Sequence, residues 1–454
     1  MRTLIITIVL LFTGVLMQAQ NSHLEEYINQ GLANNLALQQ NRLSLCRAEH
    51  ALKEAKGMFL PEATLESRFS MAAGGRVIEF PVGDLLNPVY TTLNQLLEQQ
   101  GEAAGFPTIE NEEIKFLRNQ EYDAGISVVQ PIYSRSLTFN KRIAEEQLSM
   151  TETELKLFER DLVFQIKEAY YSYLKTEQLI ALVERTKALV YENLRVTTRM
   201  FENNMITRDA VLRAKSEVSR VELLESTFLK NRKIAQSYFN FLINRDMDIE
   251  IRQDSAGVSW PEMPESGLTA EALNNREELA LLKAQARIYD YMAGLNSSEM
   301  MPQVALAIDA GLQGEEFNSF RENDYAVGSV VMSWTLFKGN VNRNKRQQVL
   351  IEKQRSQIQY QETTHKIALE VRQDFLSIQE QKHNLELARA RNSEAAEGYR
   401  IIQKRYAQRE APLIELLDAR NNMVESESEL INTEYNLYIS IARLEKSSTL
   451  GLIP

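Results

Sequence analysis

One rhythm, present twice, limits what this chain can fold into. Apolar or small residues fall at Ile166, Tyr170, Tyr173, Ile180, Val183, Val190, Leu194, Thr197 and Phe201, in steps of 4, 3, 7, 3, 7, 4, 3 and 4, or 35 residues. A 3.5-residue period held for five heptads marks a helix that packs along its whole length in a left-handed coiled coil. Adding 205 to each number gives Val371, Phe375, Ile378, Leu385, Ala388, Ala395, Tyr399, Ile402 and Tyr406, with the same rhythm. The chain therefore holds one long helix in two copies, and the rest is placed around them.

The first copy reads as a helix over 24–56 stopped by Pro61, a strand over 62–71, a turn-rich stretch over 72–121, a strand over 122–130 ended by Pro131, a long helix over 136–203 and a returning helix over 208–243. A short helix, Val89 to Gln100, fits inside 72–121. A linker over 248–267 carries Gly257, Pro261 and Pro264. The second copy follows as a helix over 268–298, strands over 303–313 and 324–336, a long helix over 340–407 and a helix over 412–446. A 68-residue helix spans about 100 Å at 1.5 Å per residue, far more than a globular domain needs. The shorter helices, at roughly 30 and 38 residues, together match one long helix if stacked end to end. The offset between copies is 241 before the strand pair and 203–205 after it, so about 37 extra residues sit between the first two strands.

The strands alternate. Ala63, Leu65, Phe69 and Met71 fall on one face, and Thr64, Glu66, Arg68 and Ser70 on the other. That suits a strand with lipid outside and water inside, and equally a half-buried edge strand of a soluble sheet. The segment 324–336 is apolar on both faces, which leaves its register open. Residues 1–20 read as a signal peptide, with Arg2 before an apolar run from Leu4 to Leu16. No later window holds 18 consecutive apolar residues, so an exported chain that spans a membrane must do so with strands. A formal net charge of −11 disfavours nucleic acid. The single cysteine, Cys46, excludes an intrachain disulfide and a cysteine metal cage. His365 and His383 lie 18 apart on one helix, about 27 Å, too far to share a metal. There is no Gly-x-Ser-x-Gly, phosphate loop or His-Glu-x-x-His, so no enzyme activity, metal or cofactor is expected.

The duplicated plan, the signal peptide and the run Tyr406-x5-Pro412-Leu413-Ile414-Glu415-Leu416-Leu417-Asp418-Ala419-Arg420 resemble the TolC family of outer-membrane efflux proteins. The segment Gly74-Gly75-Arg76 to Pro81-Val82-Gly83-Asp84 and Asn87-Pro88-Val89-Tyr90 looks like the insertion of Bacteroidetes-type members. The resemblance implies a mainly α fold with a small β part. It implies two tandem helix–strand–strand–long helix–helix repeats, and a homotrimer with an α-helical barrel and a 12-stranded β-barrel shared among subunits. It implies an exit duct embedded in outer-membrane lipid and reaching into the periplasm, partnered by a periplasmic adaptor protein and an inner-membrane pump. The competing expectation is a periplasmic coiled-coil structural or adaptor protein without a pore.

By the same resemblance, Glu415, Asp418 and Asp209 are expected to ring the periplasmic entrance. Acids in a first helical turn also simply favour the helix dipole. In the first copy Ala210 stands opposite Glu415, and Asp209 is its acidic neighbour. The turns Asn203-Asn204-Met205 and Gln408-Arg409-Glu410 correspond to adaptor-docking tips, without the glycine of the Val-Gly-Leu-like turn of many members. Arg76 and Asp84 in the insertion are candidates for an outer plug, the alternative being an ordinary surface loop. The aromatics Tyr170, Tyr171 and Tyr438 are expected to be packing.

Overall fold

The computed structural model describes residues 23–254, 264–315 and 323–450. The expected signal peptide, part of the linker 248–267 and part of the turn between the last two strands lie outside the described residues. The elements are α1 (His23–Asn34), α2 (Leu36–Gly57), β1 (Glu62–Met71), β2 (Val77–Phe80), α3 (Val82–Gln99), β3 (Glu112–Lys115), β4 (Gln120–Tyr133), α4 (Arg135–Glu202) and α5 (Arg208–Leu242). They continue with α6 (Glu265–Asn275), α7 (Glu277–Ser298), β5 (Gln303–Gly314), β6 (Asp324–Ser333), α8 (Val341–Ala407) and α9 (Leu413–Ser448). The chain divides into a helical unit (1–52, 143–290 and 348–454) and a strand unit (53–142 and 291–347).

In the helical unit the heptad positions form the core. Ile166, Tyr170, Tyr173, Ile180, Val183, Val190 and Thr197 of α4 are buried, as are Val371, Ile378, Leu385, Ala388, Ala395 and Tyr399 of α8. Around the first set, the rings of Tyr27, Tyr170 and Phe239 pack together, Tyr27 and Phe239 edge to face with centroids 5.1 Å apart at 83° and Tyr170 tilted against Phe239. The extended stretch after α5 ties this core down. Tyr27 Oη accepts the Arg252 amide at 2.8 Å, and Tyr170 Oη accepts the Asp254 amide at 2.9 Å. Asp254 in turn caps α1, accepting from the amides of His23 and Leu24. Tyr171 packs on Tyr438, centroids 5.6 Å apart. The second copy builds its own core from Leu268, Val371, Ile378, Leu437, Ile441 and Leu444.

The helices expected over 24–56 and 268–298 are each two helices, interrupted at Asn35 and Arg276. These positions are 241 apart, so the break itself is duplicated. Asn35 is buried. Its Oδ1 accepts the Leu38 amide at 2.9 Å as an N-cap, and its Nδ2 donates to the Leu242 carbonyl at 2.8 Å. Arg276 is extended, with φ −65° and ψ 128°.

Arg276 and the buried Arg160 of α4 grip one carboxylate. Arg276 donates to both oxygens of Glu278, at 2.6 and 3.1 Å, and Arg160 Nη2 reaches it at 3.0 Å. Arg160 also bonds Glu277, and Arg276 bonds Glu370 of α8. Burial would raise the Glu278 pKa, but the two guanidiniums outweigh it and hold it at about 2. A carboxyl depressed in the fold stabilises it above the unfolded pKa and loses that contribution as pH falls through the folded value. The unfolding free energy, followed by helical circular dichroism, should therefore fall between pH 5 and pH 3, by about 2 kcal/mol from this site. Glu278→Gln should be less stable at pH 5 and show a smaller decline. An unchanged decline would assign the acid sensitivity elsewhere.

The strand unit holds an antiparallel sheet in the order β1-β4-β5-β6. β4 runs past Pro131, the expected stop, because a register shift between Pro131 and Tyr133 carries the pairing with β5 around it. β6 ends at Ser333, short of the expected 336. Residues 72–121 are more organised than a turn-rich loop. β2 and β3 pair antiparallel, and α3 begins at Val82, seven residues before the expected Val89, with Pro88 inside it.

Candidate functional site

Strand register sorts the sheet into two unlike faces, since residues directly paired across strands lie on the same face. Glu66 pairs with Gly125, Arg68 with Asp123 and Thr64 with Ser127. Ser127 pairs with Asp309, and Gly125 with Gly311. Gly311 pairs with Tyr325. This face is polar in β1, β4 and β5. Tyr325 Oη lies 3.1 Å from where a Cβ would stand at Gly125 or Gly311, so the two glycines make room for its ring.

The opposite face is apolar across all four strands: Leu65, Phe69, Met71, Ile126, Ile308, Leu306, Val330 and Met332. Leu65 is 77 % exposed, Met71 73 % and Val330 73 %. β6, open in register from sequence, presents Val330 and Met332 on this face and Tyr325 and Ser329 on the other. Among the described residues β1 pairs only with β4 and β6 only with β5, so both sheet edges are open. An apolar sheet face of this breadth with two unpaired edges fits lipid and further strands, not water. Among the described residues, no helix is long and apolar enough to cross a membrane.

At the other candidate site, Glu415 and Asp418 are exposed on the first two turns of α9. Glu415 lies 3.9 Å from Arg405 of α8. Asp209, in the first turn of α5, lies 3.8 Å from Arg213. A hydrogen bond from Thr207 holds the Asp209 carboxyl below its ordinary range, with Arg213 helping. Arg213 occupies the position equivalent to Asp418, 205 residues earlier. The region is therefore of mixed charge.

The two tips are one motif repeated. Asn204 and Arg409 adopt left-handed backbone, φ 58° and 66°. The Met205 amide bonds the Met200 carbonyl and the Asn204 amide that of Phe201. Glu410 repeats this with Arg405, and Arg409 with Tyr406. These are Schellman caps in which asparagine and arginine fill the position that favours glycine. The tips touch: Arg409 Nη2 lies 3.7 Å from Met205 Sδ, and Tyr406 Oη 3.8 Å from Met200 Sδ.

Close behind lies a feature that sequence reasoning did not assign. Arg420 is fully buried and bonds Glu217 of α5 and the Asn421 side chain, the latter at 2.7 Å. Arg220 joins the same Glu217 at 2.7 Å. Burial lowers the Arg420 pKa against the pull of Glu217. Its Nε and Nη1 have no hydrogen-bond partner among the described residues. The partners are 203 apart in sequence, so only the motif around Arg420 hinted at it.

In the insertion, Asp84 is engaged by residues of the same chain. Asn111 Nδ2 donates to it at 3.1 Å and also to Glu79, while Asn111 Oδ1 accepts the Asp84 amide. Arg76 is exposed on the approach to β2.

Residues 268–449 match the family model described as outer membrane efflux protein. No curated protein matches the chain. Among solved structures, a membrane protein from Pseudomonas aeruginosa superposes with a TM-score of 0.77 at 15% identity, over 94% of this chain and 93% of that one. The Campylobacter jejuni CmeC outer membrane channel gives 0.77 at 13% identity, over 94% and 85%. The outer membrane protein VceC from Vibrio cholerae gives 0.74 at 14% identity, over 95% and 97%. At such identities the likeness is one of fold.

Proposed function

We propose that this chain, which belongs to the TolC-type outer membrane efflux proteins through its domain at 268–449, works as a homotrimeric exit duct. Its sheet lies in the outer membrane and its helices in the periplasm. The observation that carries this reading is the four-stranded sheet with one apolar face and two open edges. Four strands cannot close a barrel around a lumen, whereas three copies supply twelve. The polar face, with Glu66, Arg68, Asp123 and Asp309, then lines water. Family membership supports a conduit rather than an enzyme, with a periplasmic adaptor protein and an inner-membrane pump as partners. The adaptor would read the tips Asn203, Asn204, Met205, Gln408, Arg409 and Glu410. A purified sample should give pore currents in planar bilayers. Soluble behaviour without detergent would favour the poreless periplasmic spacer.

Glu415, Asp418 and Asp209 form the periplasmic entrance in this proposal, balanced by Arg405 and Arg213. Glu415→Gln with Asp418→Asn leaves two arginines against one aspartate per chain. Reversal potentials in a salt gradient should shift from cation towards anion preference. An unchanged potential would place these acids off the lumen.

A further inference from the structure

The insertion carries an apolar surface that its own subunit does not cover. Leu85, Val89, Leu93 and Leu96 of α3 follow at steps of 4, 4 and 3, which keeps them on one helix face. Leu85 is 67 % exposed and Val89 52 %. The opposite side of α3 is fixed to residues 106–111. Asn87 exchanges two hydrogen bonds with Ile109, at 2.8 and 2.9 Å, and Asn94 two with Phe106, at 2.9 and 3.0 Å. Tyr90 packs on Phe106, centroids 5.0 Å apart. The helix is thus held firmly with its stripe outward. At its base the insertion is anchored by the Ala72 amide on the Asn119 carbonyl, and by Arg118, 3.0 Å from Glu315.

We propose that three copies of α3 meet stripe to stripe and close an apolar seal over the outer mouth. This deepens the duct reading and rests on the trimer it assumes. Two observations select further copies of this chain as the occupant. The insertion springs from β1, an open edge strand where a neighbouring copy would pair, so it stands beside that junction. The stripe holds no ionisable group, and the charged side chains of α3, Asp84 and Glu98, both lie off it. Around a symmetry axis like residues meet like, which an uncharged stripe tolerates and a charged one does not. An anionic lipid surface fits poorly, because residues 72–121 hold three basic and eight acidic side chains. A ring of apolar side chains at a mouth gates by excluding water.

The test uses the full-length chain in outer-membrane vesicles, with Cys46→Ser and one new cysteine. Val89→Cys and Leu93→Cys should each form disulfide-linked dimers of this chain on mild oxidation, while Thr91→Cys, on the opposite side, should not. Val89→Glu with Leu93→Glu should raise single-channel conductance severalfold. The oligomeric mass in detergent is measured alongside. A trimer whose Val89→Cys and Leu93→Cys forms do not crosslink, or crosslink to another protein, overturns the seal and leaves the duct. Unchanged conductance in the glutamate variant does the same. A monomeric mass overturns the duct reading itself.

Discussion

Arginine at Leu65 or Val330 should abolish recovery of the assembled protein from outer membranes. Both side chains stand on the apolar sheet face, 77 % and 73 % exposed in the single chain, and both are reserved for lipid in the duct. A charge near the bilayer midplane of a barrel costs about 2–4 kcal/mol, and a trimer incurs it three times. Arginine at Ser329, on the polar face beside Val330 in sequence, should be tolerated because that side faces water. The measurement is the amount of heat-modifiable oligomer in outer-membrane fractions. Equal yields from Val330→Arg and Ser329→Arg would mean that the two faces do not meet different solvents.

Removing the partner of the buried arginine should be as damaging, for a different reason. Glu217→Ala leaves the Arg420 guanidinium in a site that excludes water, with the Asn421 oxygen as its remaining anchor and a second cation, Arg220, close by. Stripping one partner from a buried pair costs about 3–5 kcal/mol. Adding Arg420→Leu should recover most of the loss, since an apolar side chain needs no counter-charge there. Urea unfolding followed by the helical signal measures both. Were the double variant no better than Glu217→Ala, the damage would come from Glu217's other contacts rather than from the stranded charge. The first copy has Lys215 at the equivalent position, exposed, so the network is peculiar to the second hairpin.

The contrast between these sites explains what the sequence discloses. Burial along a long helix repeats every 3.5 residues, so Ile166, Val183, Val371 and Ile378 can be named as core without coordinates. β1 is legible because its two faces differ. β6 is not, because Val327 and Val331 share the polar face with Tyr325 and Ser329, and only pairing with β5 sets its register. The helix breaks at Asn35 and Arg276 escape notice because neither residue is proline or glycine. Each interrupts its helix through long-range bonds, to Leu242 and to Glu370. At the tips, the absence of glycine hides a left-handed cap that Asn204 and Arg409 adopt nonetheless. Arg420 with Glu217, and Arg160 with Glu278, join distant segments, and no local pattern announces such pairs. The acids of the proposed entrance are visible in the sequence, and so is Arg213, one helical turn after Asp209, whereas Arg405 reaches Glu415 only through the packing of α8 against α9.

The central claim is that one chain supplies a third of a closed wall. Native mass spectrometry of the detergent-extracted, full-length protein tests it most directly. The open edges of β1 and β6 predict a single species of three copies that persists on dilution and separates on heating. A monomer that keeps its strand content in the same detergent would contradict it.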